Sequence, residues 1–321
     1  MSVMVGTISR RAEARTASLP AMSAFRVLPH IADALLHGQP VVALESSVLA
    51  QGLPIPENRD AAARMTRAVE RTGALAAFTA VVDGVCTLGL IAAELDRFLA
   101  RDGIRKVSAR DLPVAMAQNA SGATTVAASL CIAGACGAAV FATGGIGGVH
   151  RDAPFDESGD LAELARTPLI VVCAGAKSIL DLPATLERLE SLGVTVVGYQ
   201  TDEMPGFFAR TTGLGLAARA DSPEEIAAIH LAARAMGRRQ ATLVMQPPPT
   251  DVALPQALVD EAVSRALDEA ARKAIHGPAI TPFLLAAVME ATGGRSLLTN
   301  LGLLEENAAL AGKIAVCLSR P

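Results

Sequence analysis

The sequence of 321 residues has no tryptophan and a single tyrosine, Tyr199, and aromatic residues make up only 3% of it. That scarcity argues against stacking platforms of the kind that hold single-stranded nucleic acid. An excess of basic charge is also missing: the net charge is −4, whereas a phosphate-backbone binder carries a basic surface. No nucleic-acid partner is expected. Charged residues are scarce at 19% against 51% hydrophobic, which excludes disorder outside the ends and allows a sizeable core. The five cysteines, Cys86, Cys131, Cys136, Cys173 and Cys317, are odd in number and include no CxxC pair. They read as buried free thiols and place the chain in a reducing cytoplasm. No secretory apolar region follows the first twenty residues. These carry Arg10, Arg11, Arg15 and Glu13, a faint likeness to a transit peptide, but read better as a poorly ordered N-terminal tail over residues 1–20. The longest uncharged stretch, Leu112 to Val149, could span a bilayer by length. It is broken by Gln118, Asn119, Thr124, Thr125 and many glycines, so it reads as a buried helix followed by a buried strand, with no membrane partner.

Apolar runs of strand length recur, each followed by a helical pattern. They lie at Pro40–Leu44, Leu75–Val82, Ala138–Ala142, Leu169–Val172, Val194–Val197 and Thr242–Met245. Ser222, Pro223 and Glu225 form a capping box with proline at the first helical position, and Thr281-Pro282 repeats the signal. Gly193 and Gly237 suit helix C-termini. Amphipathic helices are expected at about Pro255–Ala274 and Ser296–Arg320. The alternation predicts an α/β protein, layered α/β/α, with a largely parallel central sheet. With no repeat and no linker, residues 21–321 read as one domain.

Polar residues at strand ends are where an open parallel sheet places its site. Glu45 ends Val41-Val42-Ala43-Leu44-Glu45, and Lys177 follows the apolar run Ile170 to Ala176. Only four of the 28 basic residues are lysine: Lys106, Lys177, Lys273 and Lys313. Two readings of Lys177 stand. Burial would favour a neutral amine able to form a Schiff base with a sugar aldehyde, or the side chain could simply snorkel to water. Glu45 is likewise either a general acid or the partner of an arginine. The run Gly144-Gly145-Ile146-Gly147-Gly148 can aim several backbone N–H groups at one anion, but fits neither the GxxxxGK[ST] nor the GxGxxG pattern. Asp152, Asp156, Glu157 and Asp160 around Ser158 are either oxygen ligands for Mg²⁺ or Mn²⁺ or a solvated acidic loop. His150 is either part of that site or only a structural hydrogen-bonder, while His30, His37, His230 and His276 stand apart without ligand spacing.

Several segments together resemble the pseudouridine-5'-phosphate glycosidase (indigoidine synthase A-like) family. They are Val42 to Ser47, Lys106 to Pro113, Asn119 to Ala127, Thr143 to Arg151, Val172 to Leu180, Thr281 to Leu285 and Thr292 to Gly294. They follow the family's order from about Pro40 to the C-terminus. The resemblance implies that Lys177 is the Schiff-base lysine and Glu45 the proton donor. It implies substrate contacts from Lys106, Val126 and the segment Ser158, Gly159, Asp160, and one Mn²⁺ per subunit on Asp156. It also implies an α/β/α fold and a homotrimer. The sequence departs from the family in a shorter loop from His150 to Asp156, in Glu157 at a usually apolar position, and in Gln51, Thr87 and Gln246 where histidine, lysine and asparagine are frequent. The loop change bears most on the metal position.

The activity implied is reversible cleavage of the carbon–carbon bond between uracil and ribose 5-phosphate. A carbon leaving group is harder to expel than the heteroatom of an ordinary glycoside. The expected route is attack of Lys177 on C1', proton donation to the ring oxygen by Glu45, and release of uracil by a reverse Mannich-type step. Lys106 would meet the 5'-phosphate as a point charge, joined by backbone amides near Thr125 and Val126. Asn300 and Asn307 are candidates for the uracil contacts. Two other readings remain: a Schiff-base lyase or aldolase on another phosphosugar, and a non-catalytic phosphosugar-binding protein. Intact Glu45 and Lys177 speak against the second.

Overall fold

The computed structural model describes residues 24–151, 155–273, 275 and 280–319. The expected tail at 1–20, Asp152 of the acidic cluster and the side chains of the Thr281-Pro282 cap lie outside the described residues. Among those residues the strands are β1 (Phe25–Val27), β2 (Val41–Leu44), β3 (Leu75–Val82), β4 (Val85–Leu88), β5 (Arg105–Val107), β6 (Gly122–Thr124), β7 (Val140–Ala142), β8 (Ile170–Cys173), β9 (Thr195–Tyr199), β10 (Arg219–Ala220) and β11 (Thr242–Met245). The helices are α1 (Pro29–Leu36), α2 (Glu57–Glu70), α3 (Ala92–Ala100), α4 (Leu112–Ala117), α5 (Val126–Ala135), α6 (Gly159–Leu164), α7 (Leu182–Ser191), α8 (Pro223–Ala235), α9 (Gln256–Arg272), α10 (Ile280–Ala291) and α11 (Arg295–Ser319).

One sheet orders its strands β1-β4-β3-β2-β7-β8-β11-β9-β10, and from β3 to β10 every pairing is parallel. Every residue of β2, β7, β8 and β11 is buried. Since successive side chains point to opposite faces, both faces must be covered, which is why these strands are apolar throughout instead of alternating. Helix α11 packs on β2, β7 and β8 between α2 and α8, while α5 and α6 pack together beside β2, β3 and β4. Small residues allow the close approach of helices: a Cβ on Gly312 of α11 would lie 2.3 Å from Thr72 Oγ1, just past α2. The expected α/β/α layering with a largely parallel sheet is what forms.

Two local expectations are corrected. β3 is followed by a hairpin to β4, not a helix, and the pair is antiparallel. Its turn is Asp83-Gly84, with φ of 47° and 82°, the left-handed pair that a two-residue hairpin needs. The uncharged stretch from Leu112 forms α4, β6, α5 and β7, not a single helix and strand. β6 pairs antiparallel with β3 and parallel with β5, so a small side sheet carries Lys106 and Thr124 beside the main one.

Candidate active site

The parallel sheet has a topological switch at β2, whose next strand in the chain, β3, lies on one side and whose other neighbour is β7. A crevice opens at the carboxyl ends of strands at such a point. Glu45 directly follows β2 there and is 4% exposed. Both its oxygens are held: Oε1 accepts from Ser47 Oγ and Oε2 from Thr143 Oγ1, the first residue after β7. Ser46 turns the other way. Its Oγ accepts from Thr124 N at 2.9 Å and joins a buried hydroxyl cluster with Thr79, Thr124 and Ser129. That cluster ties the end of β2 to β3, β6 and α5.

Lys177 reaches the same crevice from β8. Past the sheet, the chains leaving β7 and β8 stay zipped: Ala174 N donates to Gly144 O, Ile146 N to Gly175 O and Lys177 N to Ile146 O. Gly175 is required in that ladder, with φ of 87° and only 2.3 Å between a would-be Cβ and Pro205 O. Arg151 pins the following turn by donating to Leu180 O at 3.1 Å and Ser178 O at 3.3 Å. Lys106, on β5, completes the constellation. It keeps exposed surface, yet the cavity walls desolvate its ammonium and, together with the charge of Lys177, hold its pKa below the ordinary lysine value against the opposite pull of Glu45 and Asp160. Neither lysine has a hydrogen-bond or ion-pair partner for Nζ among the described residues.

Two cavities of about 520 and 530 Å³ meet at Glu45, Ser47, Lys106 and Lys177. The first is the more apolar, with Val48, Phe207 and Leu285 facing Gln51 and Asn300. Val48 to Gly52 form a π-helical turn, a local geometry common at functional sites. Phe207 is a left-handed non-glycine residue, φ 65°, and its ring occupies the space a Cβ on Gly145 would need, 2.5 Å away. The second cavity is polar, lined by Lys106, Ser108, Thr125, Val126, His150, Ser158 and Asp160. Val126 begins α5 with Thr125 as its N-cap. Thr125 Oγ1 is buried without a partner beside the orphan N–H groups of a helix start, an arrangement suited to an anion.

The structure brings Glu45, Lys177, Lys106, Val126, Ser158 and Asp160 to this one place. Gly159 begins α6 and lies 3.5 Å from Ser108 Oγ, measured from a would-be Cβ. Asp160 is 4% exposed, and its oxygens accept from Ala127 N at 2.9 Å and Gly147 N at 2.8 Å. The glycine run therefore aims this N–H at a carboxylate of the protein itself, and Asp160 straps that run to α5. Close approach explains the small residues: a Cβ on Gly147 would meet Ser158 Oγ at 2.2 Å, and one on Gly148 would meet Thr185 Oγ1 at 2.3 Å. Asn300 lines the first cavity with Oδ1 buried and unpaired. Asn307 Oδ1 is likewise unpaired, but its amide donates to Thr143 O at 2.9 Å and Gly144 O at 3.4 Å, which braces the β7 end, and it is on the lining of neither cavity. Asp156 is exposed, 3.3 Å from His150 Nδ1, and no group of three His, Cys, Asp or Glu among the described residues could hold a metal ion. A single exposed carboxylate, shared with His150, suits only a hard divalent cation that keeps most of its waters. Burial pushes the thiols of Cys86 and Cys136 up to about 11 and that of Cys173 to about 12.

Phe207, Thr143 and Ser47 carry roles that the sequence did not announce. Thr143 and Ser47 lie inside the motifs quoted above, but nothing in the order of residues says that both hydroxyls turn to one carboxylate. Phe207 comes from an irregular stretch without a periodic signal.

The fold and this crevice define an α/β protein with two lysines and a carboxylate gathered beside a helix start whose N–H groups are suited to an anion. The chain belongs to the family described as indigoidine synthase A like protein, which matches residues 30–317. A relative from Gemmatimonas aurantiaca, named pseudouridine-5'-phosphate glycosidase, is 62% identical over 91% of this chain and 96% of its own. One from Herpetosiphon aurantiacus with the same name is 46% identical over 92% and 99%. Among solved structures, the prealnumycin C-glycosynthase AlnA in complex with ribulose 5-phosphate is 36% identical with a TM-score of 0.85, covering 92% of this chain and 97% of that one. An indigoidine synthase A-like protein of Thermotoga maritima superposes with a TM-score of 0.83 at 36% identity, covering 88% and 94%. No helix among the described residues is long and apolar enough to cross a membrane.

Proposed function

We propose that this chain is an enzyme that reversibly cleaves the C–C glycosidic bond of pseudouridine 5'-phosphate, giving uracil and ribose 5-phosphate through a Schiff base on Lys177. The observation that carries this reading is the meeting of Lys177, Glu45 and Lys106, from three separate strands, in one crevice with an apolar and a polar lobe. The names of the relatives and the C-glycosynthase solved with a pentulose phosphate support it.

The polar lobe takes the 5'-phosphate on Lys106, Thr125 Oγ1 and the α5 N-terminus, and the apolar lobe takes the base. Lys177 Nζ attacks C1' while Glu45 gives a proton to the ring oxygen, so the C1'–O bond breaks and the sugar opens. The nitrogen lone pair then expels the base: C1'–N becomes an iminium, the C1'–C5 bond breaks, and C5 of uracil takes a proton. Water adds to the iminium and releases ribose 5-phosphate and the free amine. In reverse the same iminium captures C5. Asp156, with waters, would hold one Mn²⁺ per subunit, whose charge would order the acidic loop and screen the phosphate. A homotrimer is part of the same proposal, as is a cytoplasmic location, which the free thiols support. So is a single domain over residues 21–321, supported by a main core running from Ile31 to Ala315 beside two small clusters.

The test is to incubate the protein with pseudouridine 5'-phosphate and Mn²⁺ and follow uracil by liquid chromatography and mass spectrometry, with an EDTA control. Uracil appearing with ribose 5-phosphate is expected. No release from folded, metal-loaded protein would turn the reading toward another phosphosugar or a binding role, and borohydride trapping at Lys177 would separate these.

A further inference from the structure

The apolar lobe does not end where a uracil ring would. A further, half-open cavity shares Gln51, Gly52, Leu285 and Asn300 with it. Beyond this neck the apolar walls are Pro54, Phe208, Met289 and Leu297, with Arg101 and Ser296 as the polar residues among them and the exposed Ala286 also on the lining. Two buried polar atoms at the neck, Gln51 Oε1 and Asn300 Oδ1, lack partners. A group buried in this way is costly unless a ligand satisfies it. A pyrimidine offers both N–H donors and C=O acceptors, so it can meet these amides in either orientation. The same ring, unsubstituted, has no apolar surface to place in the outer chamber. Apolar walls continuous with a base site select for a ligand that carries apolar surface past the polar neck.

We propose that the base site accepts pyrimidine C-nucleoside 5'-phosphates carrying an apolar substituent, with the ring held at Gln51 and Asn300 and the substituent lying between Phe208, Met289 and Leu297. This rests on the proposed C-glycosidase reading and names a wider substrate class for the same site. The chemistry is unchanged. The C1'–C5 bond breaks, C5 gains a proton, and water supplies the oxygen to C1'. A substituent on N1 preserves both the enamine character of C5 and the N3–H donor.

The experiment compares kcat/KM for pseudouridine 5'-phosphate and its N1-methyl, N1-propyl and N1-benzyl analogues, in the wild type and in Ala286→Phe. Ala286 lines only the outer chamber and is exposed, so the variant should fold, which circular dichroism checks. The wild type should cleave the propyl and benzyl analogues within about tenfold of the parent, and Ala286→Phe should lose about tenfold or more on these two alone. Normal turnover of the parent with the propyl and benzyl analogues slower by more than about tenfold would overturn the inference. So would an Ala286→Phe variant that changes all four substrates equally. Failure of the parent reaction itself would remove the proposed function, and this extension with it.

Discussion

Glu45 has a hydroxyl donor on each oxygen, Ser47 on one and Thr143 on the other, so the carboxyl plane is fixed before any substrate arrives. Among the described residues Lys177 Nζ has no such restraint, as the proposed attack on C1' would require. Lys177→Ala should therefore abolish uracil release, and borohydride with ribose 5-phosphate should label the wild type but not this variant. A fully active Lys177→Ala would remove the mechanism. Glu45→Gln keeps the shape and should still bind substrate while losing roughly 10²- to 10⁴-fold in rate; wild-type turnover would take away its acid role. Lys106 makes a prediction in pH. Its pKa lies below the ordinary lysine value, first through desolvation and then through the charge of Lys177. A cation with a lowered pKa is present below that pKa and lost as pH rises through it. KM for the phosphorylated substrate should thus climb on the alkaline side earlier than a free lysine near ~10.4 would allow. Lys106→Gln should show a raised KM without that climb. An identical alkaline limb in the variant would assign it to another group.

At the scale of elements, the long apolar strands and capped helices were legible because their signals are local. Leu75–Val82 and Thr242–Met245 form where the sequence placed them, and Ser222 caps α8, its Oγ accepting from Glu225 N at 3.2 Å. The capping box is only half realised, since the Glu225 carboxylate accepts from Asp221 N and not from Ser222 N. The two- and three-residue strands β10, β5 and β6 were not legible, because their existence depends on pairing and not on their own composition. The β3–β4 hairpin was legible in principle from Asp83-Gly84 and was missed because the α/β rhythm suggested a helix. His230 joins α8 to β11 through Nδ1 and Thr242 Oγ1 at 3.0 Å, and burial, with help from Arg234, lowers its pKa to about 4. The unfolded chain then binds more protons between this value and ~6.5. The stability contributed by the neutral ring is complete above the unfolded pKa and lost as pH falls toward 4. The loss should reach roughly 3 kcal/mol. Denaturant unfolding at pH 7 and pH 5, wild type against His230→Gln, checks it: the variant should lose less stability on acidification, and an equal loss in both would place the acid sensitivity elsewhere.

For the whole molecule, the expected assembly is a trimer, and sedimentation equilibrium should return three chain masses at micromolar concentration; a single chain mass would remove that part of the proposal. The sequence by itself determined the α/β class and singled out Glu45, Lys106 and Lys177 as the residues to which the proposal gives chemistry. Strand periodicity, strand-end polarity and the rarity of lysine are all written along the chain, and the ordered motifs point to a family. Tertiary structure decided what each residue touches. It tied Asp160 to Gly147 and α5, made Asn307 a brace and Asn300 a cavity wall, turned Thr143 onto Glu45, and brought Phe207 to the apolar lobe. The physical reason is that these assignments are contacts between segments far apart in the chain, such as the 164-residue separation of Asn307 and Thr143. Such contacts are set by the strand order around β2 and the close packing of α11, and no local pattern encodes either.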